Sequence, residues 1–129
     1  MFWLASLLLL GGSVALLLLQ HACADDLLKL AQHIYTNYPQ ILAITRTPQV
    51  TVQNLATNQP VVITSINDFA GNADFVGGKT GYTDQADGNL LSIFSYEGQP
   101  IFIVVEGIDD GVRFDATQSL YNWFKTNFK

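Results

Sequence analysis

Lys79 and Thr80 stand between glycines in the stretch FVGGKTGYT, and an ammonium group beside a hydroxyl is an arrangement that binds anions. Two kinds of anion suit this pair: the phosphates of a nucleotide and the carboxylate of a peptide. The glycines allow a ligand to approach the backbone closely, because they carry no side chain. The residues around the pair decide between the two.

A phosphate-binding loop requires the pattern G-x-x-x-x-G-K-[ST] and a helix that starts at the lysine. Gly78, Lys79 and Thr80 match the end of this pattern, but Ala73 stands where the first glycine belongs. The residues that follow, GYTDQADGN, are poor helix formers. The sequence therefore excludes a nucleotide site at this position.

The neighbouring stretch DQADGN is no better as a calcium loop. Asp84, Asp87 and Gly88 match the start of an EF-hand loop, but Ala86 stands where a ligand is required and no glutamate closes the loop. No other metal-binding constellation is visible in the sequence. We expect no metal and no cofactor.

The third interpretation is the lysine-threonine-glycine box of the penicillin-recognising serine enzymes. The segment DFVGGKTGYTDQADGNLLSIFSYEGQPIFIVVEG, followed by an arginine and a helix ending LYNWF, resembles the C-terminal part of the catalytic domain of the serine-type D-alanyl-D-alanine carboxypeptidases. These are low-molecular-mass penicillin-binding proteins of the DD-peptidase/β-lactamase-like superfamily. The helix DLLKLAQHIYTNYPQI is similar to the family's segment upstream of the box. The resemblance runs from about Asp25 to the end of the sequence.

The resemblance implies roles for the residues of the box. Lys79 and Thr80 would bind the terminal carboxylate of a D-Ala-D-Ala stem peptide of peptidoglycan, or that of a β-lactam. Gly81 would let the peptide lie alongside the strand. The backbone N–H of Tyr82 would donate into the oxyanion hole. The alternative for Lys79 is an exposed lysine in a turn.

Arg113 opens the last helix and matches a family arginine near the box, so the resemblance implies that it assists with the carboxylate. A surface salt bridge is an equally good interpretation, because three aspartates are close in sequence: Asp109, Asp110 and Asp115. Thr83 follows the box and is expected to help hold the strand.

The sequence lacks the family's nucleophile motif, because no serine is followed by a lysine three places on. Ser65-Ile66-Asn67 has the letters of the family's S-x-N motif, but it ends a predicted hairpin strand, whereas the family's motif lies far upstream. We therefore expect a truncated D-Ala-D-Ala carboxypeptidase that is inactive by itself and marginally stable. The alternatives are a membrane-anchored, non-catalytic module that binds peptidoglycan or another protein, and an untranslated remnant.

An α+β layer with an antiparallel sheet must position the box. Apolar residues at helical spacing predict a helix from Asp26 to Tyr38, which Pro39 stops. PQVTVQNLATNQPVVITSIN predicts a hairpin, and NLLSIFSY and QPIFIVVEGI predict two strands joined by a tight turn. The last segment predicts a helix with Phe114, Leu120, Trp123 and Phe124 at helical spacing.

Residues 1–24 contain no charged side chain and predict an apolar N-terminal helix. The run from Phe2 to Leu19 would span roughly 27 Å, enough for a transmembrane segment or a signal peptide. Ala22 and Ala24 flank Cys23 in the small-x-small pattern that signal peptidase accepts. We expect a protein that is exported and either membrane-anchored or free in the cell envelope or periplasm; a misjoined start is the alternative.

The composition is that of about one folded domain of 129 residues. The formal net charge is −5, and the 6 Lys and Arg residues form no basic stripe. We expect no nucleic acid among the partners, because nucleic-acid binding depends on clustered positive charge.

Overall fold

Helices and antiparallel strands alternate along the chain in a computed structural model that describes residues 2–10 and 13–128, with side chains described from Cys23 onward. In chain order the elements are β1 (Phe2–Leu10), β2 (Ser13–Ala22), α1 (Ala24–Asn37), α2 (Pro39–Thr45), β3 (Gln49–Asn54), β4 (Gln59–Thr64), β5 (Phe75–Thr83), β6 (Asp87–Tyr96), β7 (Gln99–Ile108) and α3 (Arg113–Asn127). The predicted α+β class is confirmed.

The apolar N-terminal segment forms strands where we predicted a helix. β1 pairs with β2 in an antiparallel ladder, with Phe2 opposite Ala22 and Leu10 opposite Ser13. The sequence supplies a physical reason, since Gly11 and Gly12 divide the apolar run and each glycine costs about 1 kcal/mol in a helix interior. Within the described part of the chain, no helix has the length and apolar character needed to cross a bilayer.

The predicted first helix is confirmed as α1, and a second helix follows it directly. Asp26 accepts hydrogen bonds from the Cys23 thiol and backbone N–H at the start of α1. These contacts, the thiol first, lower the pKa of the Asp26 carboxyl. Pro39 ends α1 as predicted, but it also occupies the first turn of α2, where a missing N–H costs nothing.

The central sheet has the order β5-β6-β7, and both of its connections are tight turns. Thr83 and Asp87 face each other across the first turn, and Tyr96 and Gln99 face each other across the second. Glu97 and Gly98 both have positive φ, at 50° and 79°, which matches the type I′ turn that suits a twisted hairpin. The prediction of two strands joined by a tight antiparallel turn is confirmed.

The two faces of this sheet carry separate apolar clusters. On one face, Leu90 and Phe94 pack with Tyr121 of α3, and the Phe94 and Tyr121 rings stack at 4.3 Å between centroids. On the other face, Ile93 packs with Ala31 of α1 and Leu42 of α2. We call these the α3 face and the α1–α2 face, and they determine where each side chain of β5 points.

The predicted hairpin is confirmed as β3 and β4, whose residues are all exposed. The predicted last helix is confirmed as α3, but its buried side differs from the predicted apolar positions. Thr117 and Tyr121 are buried, whereas Leu120 and Trp123 are 47% and 58% exposed. Burial of Thr117 leaves no polar group unpaired, because its hydroxyl donates to the Arg113 carbonyl at 2.8 Å.

Candidate functional site

The predicted lysine-threonine-glycine box lies on β5, an edge strand of the central sheet. Among the described strands β5 pairs with β6 alone, so its other edge carries no strand. α2 contacts that edge at its beginning, where a side chain on Gly77 would collide with Leu42 and Thr45. From Lys79 onward the edge is open, and Lys79, Tyr82 and Thr83 are exposed.

The backbone groups of Thr80 and Tyr82 face this open edge. Gly78 directs its N–H away from β6, because that N–H donates to the Thr45 hydroxyl of α2 at 3.1 Å. Backbone polar groups alternate between the two sides of a strand, so residues two and four positions further point the same way. The edge beyond α2 therefore offers the N–H and C=O of Thr80 and then those of Tyr82.

Lys79 places its ammonium group at the same edge. Its side chain lies on the α1–α2 face, since Lys79 stands opposite Leu91 in the ladder. Its Nζ atom donates to the carbonyl oxygen of Thr80, one of the groups that face outward. An ammonium has three donors, so two remain for a ligand. The open edge thus combines a positive charge with a backbone acceptor and backbone donors.

The Thr80 side chain lies on the opposite face from Lys79. Thr80 stands opposite Leu90, which belongs to the α3 face, and its side chain is 7% exposed. The Lys79 ammonium therefore contacts the backbone carbonyl of Thr80 and not the Thr80 hydroxyl. A contact between the Thr80 hydroxyl and a ligand stays a prediction.

Gly81 and Tyr82 continue the open edge toward the turn. Gly81 is half-buried and carries no side chain, and Tyr82 is 55% exposed. The orientation of the Tyr82 N–H is the one that a donor to an external oxyanion needs. Thr83 accepts a hydrogen bond from the Ala86 N–H at 3.1 Å, so its hydroxyl holds the turn that follows.

Asn89 is a positioning residue that the sequence reasoning missed. It stands opposite Gly81 and is 1% exposed. Its side-chain amide donates to the carbonyls of Ala86 and Asp87 at 3.0 and 2.9 Å, and its Oδ1 accepts from the Gly107 N–H at 3.0 Å. The signal in the sequence is an asparagine near the start of an apolar strand, where a buried polar side chain needs hydrogen-bond partners.

Arg113 pairs with Asp110, one of the aspartates proposed as its salt-bridge partner. Arg113 is buried, at 7% exposure, and its guanidinium carbon lies 5.0 Å from the centroid of the Phe114 ring. Four residues separate the end of β7 at Ile108 from the start of α3. Ile108 stands opposite Gly88, and Gly88 stands opposite Tyr82. Arg113 therefore lies at the same end of the sheet as Tyr82, with its charge already paired.

Ser65 and Asn67 support a local turn. The Ser65 hydroxyl accepts from the Asn67 N–H at 3.1 Å, and Asn67 Oδ1 accepts from the Phe69 N–H at 3.0 Å. Asn67 is 7% exposed. Their side chains hold the loop that leads to β5, in keeping with the interpretation that this S-x-N triplet is not a catalytic motif.

The fold is similar to part of the fold of solved penicillin-binding proteins. A peptidoglycan synthesis regulatory factor, PBP3, from Streptococcus pneumoniae is similar over 81% of this chain, with 29% identity and a TM-score of 0.70. Penicillin-binding protein D2 from Listeria monocytogenes is similar over 89% of this chain at 25% identity, with TM-scores of 0.69 in its cefotaxime-bound form and 0.66 in its ampicillin-bound form.

The chain spans less than half of each of these proteins: 33% of PBP3, and 43% and 44% of the two D2 structures. No protein-family profile matches the sequence. No curated protein matches it either.

Proposed function

We propose that the open edge of β5, from Lys79 to Tyr82, binds the C-terminal end of a D-Ala-D-Ala stem peptide of peptidoglycan, or the corresponding part of a β-lactam. The peptide would add to the sheet as a further strand. A strand that joins an edge needs alternating donors and acceptors, and its terminal carboxylate needs a cation. The observation that carries the proposal is that the Lys79 ammonium, the Thr80 carbonyl and the Tyr82 N–H share this edge.

The ligand class is supported by the shared fold. The D2 structures are described as cefotaxime-bound and ampicillin-bound, and both drugs are β-lactams. Gly81 is compatible with strand addition as well, because it places no side chain next to Lys79 on that face of the sheet. Arg113 would assist with the carboxylate only by exchanging its contact with Asp110 for the ligand.

The activity that the family resemblance implies is a serine-type D-Ala-D-Ala carboxypeptidase. Hydrolysis needs a serine nucleophile and its lysine, and the 129 residues contain no S-x-x-K. In a longer polypeptide that supplies them, the Tyr82 N–H would stabilise the oxyanion, a contribution on the order of 3 kcal/mol for one such donor. We place such a protein at the cell envelope, as the family resemblance implies.

A non-catalytic binding module is the second candidate. The observation that favours it is the combination of an open, charged strand edge with the missing nucleophile motif. Such a module would hold peptidoglycan stem peptides, or another protein's C-terminus, reversibly.

The test is a calorimetric titration of the full chain with an acetylated L-Lys-D-Ala-D-Ala tripeptide. We expect reversible binding that Lys79→Ala weakens about tenfold, the size of one charge-assisted hydrogen bond. Lys29→Ala is the matched control, because Lys29 is exposed and pairs with Asp25 on α1. Binding of the tripeptide amide, which lacks the carboxylate, with undiminished affinity would overturn the proposal.

Labelling with a fluorescent penicillin tests whether the chain lacks a nucleophile, which both candidates assume. We expect no covalent adduct on the 129-residue chain, as read by mass spectrometry of the intact protein. An adduct would show that a serine of this sequence acts as a nucleophile and would overturn the non-catalytic candidate.

A further inference from the structure

An apolar cavity of about 260 Å³ lies between the central sheet and the first two helices. α1 lines it with Leu30, Ala31 and Ile34, and β6 lines it with Leu91 and Ile93. The cavity lies on the α1–α2 face, directly beside the open edge of β5. Its volume is just below that of typical small-molecule pockets. A cavity of this volume suits a ligand of about ten non-hydrogen atoms.

Lys79 gives this cavity a positive rim. Among the described residues that line the cavity, Lys79 carries the single charge. Its stem forms part of the wall, and its ammonium reaches the Thr80 carbonyl at the strand edge. The cavity therefore has apolar walls and, at one end, a cation with two N–H donors to spare.

The remaining polar group of the wall is already engaged. The Thr45 hydroxyl donates to the Leu42 carbonyl at 3.1 Å and accepts from the Gly78 N–H. A ligand in the cavity meets no other strong donor or acceptor there, so recognition depends on apolar contact and on the lysine. A neutral polar molecule would lose its hydration without compensation.

We propose that this cavity binds a monocarboxylate with an unbranched aliphatic tail of about six to eight carbons. The tail packs against the leucine and isoleucine side chains, and the carboxylate accepts from the free N–H groups of Lys79. The positive charge of Lys79 at the rim, next to walls that are otherwise apolar, favours an occupant with one anionic group and an apolar tail. The proposal shares Lys79 with the peptide site but does not depend on peptide binding.

The first experiment is a calorimetric series on the full chain with butanoate, hexanoate, octanoate and decanoate. We expect each methylene that enters the cavity to tighten binding about fourfold, and the gain to stop near octanoate, where the cavity is full. An affinity that is independent of chain length would overturn the proposal, because the tail would then lie outside the cavity.

Two variants test the contact with the ligand's carboxylate and the contact with its aliphatic tail separately. Lys79→Gln weakens octanoate about tenfold but leaves 1-octanol binding unchanged, and Lys29→Gln changes neither. Leu30→Trp narrows the cavity from a position that is 52% exposed, so it weakens both ligands while the fold is retained. Equal loss of octanol and octanoate in Lys79→Gln would overturn the assigned role of the lysine.

The outcome is distinguishable from that of the peptide proposal. If the chain binds octanoate but not the acetylated tripeptide, the peptide proposal alone is overturned. If it binds the tripeptide but not octanoate, the cavity proposal alone is overturned. Light scattering completes the test: a dimer that octanoate does not dissociate would mean that a second copy covers the cavity.

Discussion

The Thr45 hydroxyl accepts a hydrogen bond from the Gly78 N–H at 3.1 Å and thereby joins α2 to the edge strand β5. This contact closes the edge at one point and leaves the following residues open. It also shows which way the backbone groups of the strand point, because they alternate from Gly78 onward. The geometry of the candidate site thus depends on a side chain far from it in sequence.

Thr45→Val tests this contact, since valine has the shape of threonine but offers no acceptor. We expect a loss of about 1–3 kcal/mol in the free energy of unfolding, the cost of a buried N–H without a partner. Thr45→Ser keeps the hydroxyl and should cost clearly less. Urea denaturation of both variants measures the difference, and equal stability of the two would contradict the role given to the hydrogen bond.

Asn89→Ala should be more damaging than Thr45→Val. The substitution removes the bonds to the Ala86 and Asp87 carbonyls and leaves the Gly107 N–H without its acceptor. We expect a loss of about 2–4 kcal/mol in the free energy of unfolding. Asn37→Ala is the control, because Asn37 is exposed on α1 and bonds only to His33 nearby; it should change stability by less than about 0.5 kcal/mol.

A second readout for Asn89→Ala is the tripeptide affinity measured at a temperature where the variant is folded. Asn89 lies behind Gly81 and holds the turn that follows Tyr82. We expect weaker binding, because the strand edge loses its support. Unchanged affinity in the folded variant would mean that the edge keeps its shape without this residue.

Local pattern was enough to predict β3, β4, β6 and β7, the turns that join them in pairs, and the helices α1 and α3. Alternation and turn residues identify β6 and β7, and the glycine of Glu97-Gly98 suits the positive φ that the turn requires. α2 was missed because Pro39 was taken as the end of helical structure, although proline also begins helices. The apolar first segment was predicted as a helix because hydrophobicity alone does not separate a helix from a pair of strands.

The sequence was enough to predict which residues form the candidate site, but not which face of the sheet each of their side chains occupies. Sequence places Lys79 next to Thr80, and a strand then puts their side chains on opposite faces. Which face each one takes depends on the packing of Leu90 and Leu91 against different helices, a tertiary property. Asn89 and Thr45 were missed for the same reason, since their partners lie in other elements.

The pairing of Arg113 with Asp110 predicts a moderate loss of stability in Asp110→Asn. The guanidinium is buried and would lose its counter-charge, but the Asp110 side chain is 50% exposed, so water screens the pair. We expect a loss of about 1–2 kcal/mol in the free energy of unfolding. Asp25→Asn, which breaks the exposed pair with Lys29, should cost less than about 0.5 kcal/mol.

The same variant tells the two roles of Arg113 apart. If Arg113 is purely structural, Asp110→Asn leaves the tripeptide affinity unchanged. An increase in affinity together with little change in stability would instead indicate that Asp110 competes with the ligand carboxylate for the guanidinium.

Tyr121 makes the stability of the fold depend on pH in the alkaline range. Burial between α3 and the sheet, with a smaller effect of the Asp74 carboxylate, raises the pKa of Tyr121 from 10.0 to about 12. Its hydroxyl donates to the Ser95 carbonyl at 3.2 Å, a contact that needs the protonated form. Above pH 10 the unfolded chain releases this proton while the folded chain keeps it, so unfolding becomes more favourable as the pH rises.

The expected loss from this group is about 2 kcal/mol between pH 9 and pH 12, which follows from a pKa difference of about two units. Tyr121→Phe removes the titrating group from both states, so its stability should fall less steeply over the same range. Urea denaturation of the two proteins at intervals of half a pH unit gives the comparison, and the other titrating groups cancel in the difference. Parallel curves would show that the Tyr121 hydroxyl ionises as readily in the folded protein as in the unfolded chain.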